Sequence, residues 1–320
     1  MQIYPLKFEP IFKHRLWGGQ KLREFFDKEI PADDTIGESW ELADLPEDKS
    51  IIANGELTGL TLSEAIQKYP KEITGSENFK LPFPLLIKFL DARDILSVQV
   101  HPDPETCRRR GKGDPKTECW YIIDAEPGAF IYKGLKPSTT KERFAESIEQ
   151  GTCEDFLEKV FVKPGECHFL PAGTCHSIGA GLLIAEIQTP SDTTYRVYDF
   201  NRVDKDGKPR QLHIEDALES IHFDASGDDL SVRTLDRLVD SDFFKVDKGH
   251  QAKDCELLLR PGTMKVLIFL TGTGRIQAPD KTEVEFKPGD LILVPAAYKG
   301  AVLFDRETEY LTVTLPDTNE

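Results

Sequence analysis

The sequence predicts a mainly β protein that contains two β-barrels and a few peripheral helices. Short apolar runs recur between turns rich in Gly, Pro and Asp, which is typical of β-barrels and sandwiches. A Pro-Gly turn that feeds a strand ending in Pro occurs twice, and helical periodicity is confined to three stretches. The runs that we interpret as strands include 85–90, 95–101, 119–124, 182–188, 265–270 and 291–295.

An internal repeat indicates two barrels of the same kind. The sequence VKPGECHFLPAGTCH ends at His176, and it aligns with FKPGDLILVPAAYKG, which ends at Gly300. The first copy therefore keeps a possible ligand that the second copy lacks. We predict a first domain over 1–235 with helical insertions and a second domain over 236–320 without ligands. The acidic and polar residues 224–242 are expected to connect them.

Three stretches carry helix signals. Thr61–Glu64 is a capping box that opens an amphipathic segment. Thr139–Glu142 is a second capping box, and it leads into a helical stretch that we expect to end near Phe161. The third stretch, His213–Ile221, has apolar residues at helical spacing. We expect these helices to pack around the barrels.

Composition and charge exclude several classes of function. The net charge is −16, and the one basic block, Arg108–Arg110, is interpreted as a solvated turn, so we expect no nucleic-acid partner. No apolar run approaches the ~20 residues of a membrane span, and the N-terminus does not resemble a signal peptide. We therefore expect a cytoplasmic protein with no membrane partner, whose six cysteines are reduced. The sequence does not decide the oligomeric state and is compatible with a monomer.

Polar side chains occupy predicted strands at positions where apolar ones are the norm. One strand alternates strictly, so that Ser97, Gln99 and His101 share a face. Glu118 shares a face with two apolar residues of the next strand, and a carboxylate in that setting needs a metal or a cation. His176 follows a Pro-x-Gly turn that directs it into a strand start. Each segment by itself also has a simpler interpretation, which is a polar strand face that meets solvent for the first, an exposed glutamate at a strand end for the second and a structural histidine for the third.

The frame around these residues resembles the cupin superfamily. The pattern Gly-x5-Pro-x-Gly-x2-His that ends at His176 is similar to the second cupin motif, which supplies a metal-binding histidine. The first cupin motif usually reads His-x-His with a nearby Glu. Here Gln99 and His101 form Gln-x-His, and Glu118 is displaced by an insertion.

That departure, together with several longer strings, is similar to the short type I mannose-6-phosphate isomerases. The strings are LIKFLDA, SVQVHPD, KTECWYI, FLPAGTCHSIGAG and EIQTPSDTTYRVYDF. The resemblance runs from Leu16 to His213 and continues more weakly into the second barrel. It implies two cupin-like jelly-roll barrels and an aldose–ketose isomerase. Its substrates would be mannose 6-phosphate and fructose 6-phosphate, interconverted by proton transfer through an enediolate.

The resemblance also implies one zinc ion per chain, bound within 1–235 by Gln99, His101, Glu118 and His176. Two imidazoles, a carboxylate and an amide oxygen suit zinc. Two histidines and a carboxylate would equally suit iron(II), as in oxygenases. Ligand types alone therefore leave both metals open, and the family match favours zinc.

The reaction needs a base near C1 and C2 of the sugar and a cation for the enediolate. The resemblance implies that Arg196 is catalytic and that Glu186 lies beside it in the pocket. We interpret Arg196 as the cation and Glu186 as the base. Lys116, two residues before a metal ligand, is an alternative base, as is a metal-bound water. Without the resemblance, an ion pair of Arg196 with Asp192 or Asp199 would be the simpler interpretation.

Lys88, Ser97 and Lys116 align with pocket residues of the family, and we expect them to bind the phosphate. Lys88 lies in a strongly apolar strand, where the alternative is a lysine that extends to the barrel rim. Trp17 stands beside two glycines, and we expect it either to cover the sugar or to anchor the core.

Three functions stay open on the residues alone. The first is the zinc isomerase. The alternatives are an iron-dependent cupin oxygenase and a non-enzymatic sugar-binding double cupin. Metal content, together with an assay for fructose 6-phosphate, separates them. The second barrel shows no metal-binding set, and we expect it to be structural or to shape one edge of the pocket.

Overall fold

The chain folds into four β-sheets stacked in layers, which confirms the predicted mainly β class. The computed structural model describes residues 3–32, 34–203, 206–224 and 233–316, so 225–232 of the predicted connection lie outside the described residues. The strands are Leu6–Lys7 (β1), Ile11–Gly19 (β2), Ile36–Leu42 (β3), Leu86–Ala92 (β4), Val98–Val100 (β5), Glu118–Ala125 (β6), Phe130–Leu135 (β7), Leu157–Phe161 (β8), Cys167–Leu170 (β9), His176–Ile178 (β10), Leu182–Gln188 (β11), Tyr195–Tyr198 (β12), Arg237–Asp240 (β13), Lys245–Gln251 (β14), Glu256–Leu259 (β15), Lys265–Phe269 (β16), Gly274–Gln277 (β17), Glu283–Phe286 (β18), Leu291–Val294 (β19), Gly300–Phe304 (β20) and Thr308–Thr314 (β21).

Two of the sheets face each other and form the first barrel. Sheet I has the order β2-β3-β4-β11-β6-β9, and sheet II has the order β12-β5-β10-β7-β8. Apolar side chains of both sheets, such as Trp120 of sheet I and Ile131 of sheet II, pack in one buried cluster between them. Because side chains alternate along a strand, each strand directs every second residue into this interior.

The second barrel is filled by aromatic rings. Sheet III has the order β1-β19-β16-β21-β14-β13, and sheet IV has the order β15-β20-β17-β18. Between them, Phe269 and Phe286 stack with ring centroids 3.7 Å apart, and Phe304 and Tyr310 stack at 5.8 Å. These rings belong to one buried cluster that takes residues from both sheets. The interior of this barrel is therefore occupied by apolar packing.

Sheets I and III pack back to back and join the two barrels. Phe89 and Tyr121 of sheet I share a buried cluster with Val246 and Ile268 of sheet III. The N-terminal strand β1 pairs with β19, so residues on both sides of the predicted division at 235/236 contribute to sheet III. The assignment of separate roles to the two parts stays a prediction.

The helices lie outside the sheets and only partly match the sequence signals. The capping box at Thr61 and Glu64 is confirmed, since each side chain accepts the backbone N–H of the other residue. The helix predicted over 213–221 is also confirmed, and it spans Ile214–Ser220. The helices are Lys21–Phe26 (α1), Leu62–Lys68 (α2), Pro70–Thr74 (α3), Pro104–Arg110 (α4), Lys141–Gln150 (α5) and Ile214–Ser220 (α6).

Helix α5 is shorter than we expected, and its cap is one residue later. Thr140, not Thr139, accepts a backbone N–H of the first turn. The helix ends at Gln150 because Gly151 adopts a left-handed conformation with φ of 69°. The residues that lead to Phe161 form strand β8 instead of continuing the helix.

Arg108–Arg110 were predicted to form a solvated turn, and they form the last turn of helix α4 instead. Arg110 pairs with Asp216 at 2.7 Å, and Arg109 pairs with Glu219, which ties α4 to α6. These basic side chains thus have acidic partners within the chain. In the described ranges no helix is long and apolar enough to cross a membrane.

The aromatic filling of the second barrel allows a stability prediction. Phe286 is 3% exposed and stacks on Phe269, so Phe286→Ala should lower the free energy of unfolding by about 3–5 kcal/mol. Phe161→Ala is the control, because Phe161 is 68% exposed, and it should cost less than about 1 kcal/mol. Urea unfolding followed by fluorescence measures both. Equal losses would show that the ring cluster does not stabilise this barrel.

Candidate active site and metal centre

A cavity of 490 Å³ lies inside the first barrel, with walls from sheets I and II. Its lining combines an aromatic and aliphatic part with charged side chains of both signs. The predicted residues that line it are Trp17, Lys88, Ser97, Gln99, Lys116, Glu186 and Arg196. Residues that are distant in the sequence therefore surround one space large enough for a small molecule.

Strand register explains how these residues meet. In sheet II, Gln99 of β5 lies opposite His176 of β10 on one side and opposite Arg196 of β12 on the other. In sheet I, Lys88 of β4 lies opposite Glu186 of β11. Directly opposed residues direct their side chains to the same face of a sheet. Each sheet therefore presents its own polar set to the barrel interior.

Three side chains of metal-ligand type converge beside the cavity. His101 directly follows β5, Glu118 begins β6 and His176 begins β10. His101 Nε2 lies 3.4 Å from Glu118 Oε2, and His176 Nε2 lies 3.4 Å from Glu118 Oε1. One ligand atom from each residue lies within 4.8 Å of the other two, and all three residues are buried.

Backbone carbonyl groups orient both imidazoles. His101 Nδ1 lies 2.8 Å from the carbonyl oxygen of Thr193, and His176 Nδ1 lies 2.9 Å from that of Thr174. A carbonyl oxygen only accepts, so we assign the ring proton to Nδ1 in both histidines. Each Nε2 then directs a lone pair towards Glu118, which is the arrangement common in metal-binding histidines.

The convergent lone pairs fit a bound cation. His101 Nε2 has no hydrogen-bond partner among the residues that the structure describes. Burial lowers the pKa of His101 to about 3 and also lowers the pKa of His176, so protonation does not supply the positive charge. Lys116 Nζ lies 2.9 Å from Glu118 Oε2 and balances the carboxylate. It does not satisfy the imidazole lone pairs, which a metal ion would.

The side-chain amide of Gln99 lies next to this set. Gln99 Nε2 is 3.3 Å from His176 Nε2, and Gln99 Oε1 is 3.4 Å from Ser97 Oγ. The two ends of an amide are exchanged by a half-turn about the last side-chain bond. That half-turn brings Oε1 to the imidazole lone pairs, where it offers the fourth ligand of a tetrahedral site.

Glu186 lies between two lysines and a tryptophan. Its Oε1 is 3.0 Å from Lys88 Nζ and 3.7 Å from Lys116 Nζ, and its Oε2 accepts the indole N–H of Trp120 at 3.2 Å. Burial raises the pKa of Glu186 in spite of the two lysines, and the negative charge of Glu118 adds to the increase. A buried carboxylate of raised pKa is suited to take up a proton.

Arg196 reaches the cavity without an ion pair in the described part of the chain. Asp199, one of the two partners considered from the sequence, pairs with Arg202 and Arg210 instead. The other, Asp192, lines the same cavity. Arg196 Nε is buried and has no hydrogen-bond partner among the described residues. Its charge is therefore available to an anionic group inside the cavity.

Trp17 fits both alternatives that the sequence left open. The residue lines the cavity and is also buried in the cluster between sheets I and II that contains Trp120. Its ring is thus one wall of the cavity and a part of the core. Ser97 is buried as well and lines the cavity beside Gln99.

Sequence analysis missed three charged residues of the cavity wall, Arg15, Glu38 and Arg210. Glu38 Oε1 accepts Arg15 Nε at 2.6 Å, and Glu38 Oε2 accepts Trp40 Nε1 at 2.6 Å. The available signal was strand β3 itself. Both faces of this strand are buried, and it nevertheless contains glutamates, which must have partners.

The second barrel holds no comparable set in its described residues. Across the described ranges, groups of three or more His, Cys, Asp and Glu side chains able to hold a metal comprise His101, Glu118 and His176 alone. His250, a histidine of this barrel, lies on β14 and pairs with Glu307 at 2.8 Å.

Comparisons with known proteins point to one family of isomerases. The family model "Phosphomannose isomerase type I, catalytic domain" matches residues 6–131. The probable mannose-6-phosphate isomerase GmuF of Bacillus subtilis (strain 168) is 40% identical over 305 residues, which cover 92% of this chain and 94% of the relative. The mannose-6-phosphate isomerase of Streptococcus mutans serotype c is 36% identical over 313 residues, which cover 96% and 97%.

Solved structures show the same likeness. The crystal structure of mannose 6-phosphate isomerase from Bacillus subtilis has a TM-score of 0.86 at 30% identity and covers 98% of this chain and 99% of that chain. A zinc-bound mannose 6-phosphate isomerase has a TM-score of 0.76 at 16% identity, with 97% and 99% covered, which is a likeness in fold. The chain thus belongs to the type I phosphomannose isomerase family.

Proposed function

We propose that the chain interconverts mannose 6-phosphate and fructose 6-phosphate as a zinc-dependent isomerase. The observation that carries the proposal is the buried convergence of His101, Glu118 and His176 beside a cavity that contains Glu186 and Arg196. Relatives named as mannose-6-phosphate isomerases align with more than nine-tenths of the chain, which supports the same activity here.

The proposed zinc ligands are Gln99, His101, Glu118 and His176, with one ion per chain. When bound, zinc would polarise the sugar carbonyl and offset the negative charge that develops on the oxygens at C1 and C2. The donor set supports zinc, because neutral imidazoles with fixed tautomers and a carboxylate are common zinc ligands.

Glu186 is the proposed base for the proton that moves between C1 and C2. Its carboxylate is buried and is held by Lys88 and Trp120 in a defined orientation. Lys116 is the weaker candidate, since its ammonium is already engaged by the carboxylates of Glu118 at 2.9 Å and Glu186 at 3.7 Å. Arg196, without an ion pair among the described residues, is proposed to stabilise the enediolate.

The substrate-binding residues remain Trp17, Lys88, Ser97 and Lys116 in this proposal. The indole wall offers an apolar surface to the C–H groups of the sugar, while the ammonium and hydroxyl groups suit its phosphate. We assign the chemistry to 1–235 and a supporting role to 236–320. A cytoplasmic location and the absence of nucleic-acid and membrane partners belong to the same proposal.

Metal removal is the first test. We expect the purified protein to contain about one zinc per chain and to lose activity on chelation until zinc is restored. His176→Ala should lose both zinc and activity, whereas His250→Ala should keep both, because His250 is exposed and pairs with Glu307. Elemental analysis and a coupled assay for fructose 6-phosphate measure the two quantities. Full activity in verified metal-free protein would contradict the zinc proposal.

The dependence of zinc affinity on pH is a second test. Burial lowers the pKa of His101 to about 3, against an ordinary 6.5, and lowers that of His176. The His101 imidazole therefore stays unprotonated as the pH falls from about 7.5 to 5.5, and the lowered pKa of His176 acts in the same direction, so protons compete less with the metal than they would at exposed histidines. We expect affinity to change by less than about threefold over this range, measured with a competing chromophoric chelator. A decrease of about tenfold per pH unit would indicate exposed, ordinarily basic histidines.

Substitution of Arg196 tests its assigned role. Arg196→Met removes the guanidinium from the cavity, so we expect kcat to fall by about 10²–10³-fold with retention of bound zinc. The matched control is Arg275→Met, which removes a guanidinium of the second barrel that pairs with Asp305 at 2.8 Å. Steady-state kinetics give the comparison, and a kcat near the wild-type value for Arg196→Met would exclude it as the stabilising cation.

A further inference from the structure

A row of charges of alternating sign crosses sheet I towards the metal ligands. It follows the strand order of the sheet. One charged side chain comes from each of β2, β3, β4 and β11, the next comes from the residue two positions before β6, and the last comes from the first residue of β6. Neighbouring charged atoms in the row are 2.6, 3.7, 3.0, 3.7 and 2.9 Å apart. The members in order are Arg15, Glu38, Lys88, Glu186, Lys116 and Glu118.

Glu38 is a fixed negative charge in this row. Arg15 holds one carboxylate oxygen and the indole of Trp40 holds the other, both at 2.6 Å. Burial favours the neutral acid, but Lys88, Arg15 and Trp40 together outweigh it and lower the pKa of Glu38 to about 2. Among the described residues, Glu38 forms no hydrogen bond or ion pair with the four proposed metal ligands, so we expect its effect on the site to pass through a neighbour.

Lys88 is shared between two carboxylates. Its Nζ lies 3.0 Å from Glu186 Oε1 and 3.7 Å from Glu38 Oε2, and its side chain is buried. Burial disfavours the ammonium, but Glu186 and Glu38 outweigh it and raise the pKa of Lys88, so the charge persists. If the negative charge of Glu38 were removed, Glu186 would be the dominant attraction on the ammonium, with a weaker one from Asp192. A closer ammonium stabilises the ionised form of Glu186 and makes it a weaker base.

We propose that Glu38 is a positioning residue of the isomerase, which holds the Lys88 ammonium back from Glu186 and so keeps that carboxylate basic. The inference rests on the proposed function, in which Glu186 takes up the proton that moves between C1 and C2. In this proposal Glu38 neither transfers the proton nor contacts a proposed metal ligand. It acts on the reaction through the Lys88 ammonium, which lies between Glu38 and Glu186.

Glu38→Gln tests this role, since it removes the charge and keeps an oxygen for the indole of Trp40. We expect kcat to fall by about tenfold, because Glu186 becomes a weaker base. KM should stay unchanged or fall, because the Arg15 guanidinium is left without its carboxylate partner at the cavity wall. Glu41→Gln is the matched control. Glu41 is a buried carboxylate of the same strand that pairs with Lys28 at 2.7 Å, outside the row, and its kcat should stay within about twofold.

A double-mutant cycle with Lys88→Met distinguishes positioning from a general structural effect. If Glu38 acts through Lys88, Glu38→Gln should change kcat by less than about twofold in the Lys88→Met background. The proposal is overturned by an unchanged kcat in Glu38→Gln, or by a full tenfold loss that persists without Lys88. Should Glu38→Gln not fold, Trp40→Phe, which removes the N–H that fixes Glu38, replaces it. A kcat lowered by about threefold supports the role, and an unchanged one overturns it.

Failure of the proposed function would be recognised separately. A wild-type protein that binds metal but forms no fructose 6-phosphate overturns the isomerase alone. The role of Glu38 is then decided without substrate, by crystal structures of wild type and Glu38→Gln. A Lys88 ammonium that moves closer to Glu186 in the variant supports the inference, and one that keeps its wild-type position overturns it.

Discussion

The lone pairs of His101 and His176 face the carboxylate of Glu118 inside the first barrel, and this convergence fits a bound metal ion. Neither sheet could build it alone. The imidazoles come from strands at β5 and β10 of sheet II, and the carboxylate comes from β6 of sheet I. The ligand set therefore exists only when the two sheets pack face to face. The carbonyl groups of Thr193 and Thr174 then fix which ring nitrogen is free.

The two barrels use one architecture in opposite ways. The first admits a row of charges that is buried except for Arg15 at its end, and each buried charge costs free energy unless it has a partner. The second fills the corresponding space with stacked rings such as Phe269 and Phe286, and it has Gly300 at the place of His176 in the repeat. Sheets I and III share a large apolar cluster. The apolar barrel thus packs directly behind the sheet that carries the charges, where burial of apolar surface contributes to stability.

The sequence alone was enough to predict where strands form and that His101, Glu118 and His176 lie close together. Alternation along a strand and turn residues indicate which way a side chain points. The sequence was insufficient where long-range register decides the result. The role proposed for Glu38 depends on its ion pairs with Arg15 and Lys88, which come from two other strands of sheet I. No local pattern encodes that pairing. The end of α5 differs, since Gly151 was a visible stop signal that outweighed the helical periodicity beyond it.

Charge balance explains how an acidic chain can attract a sugar phosphate. The chain carries a net charge of −16, so an anionic substrate needs local cations. Within the row across sheet I each lysine or arginine is matched by a carboxylate, and these charges largely cancel. The net positive charge then comes from the guanidinium of Arg196, which has no ion pair within the described ranges, and from the proposed metal. In the proposed function Lys88 and Lys116 donate hydrogen bonds to the phosphate, while Arg196 and the metal would supply the net attraction.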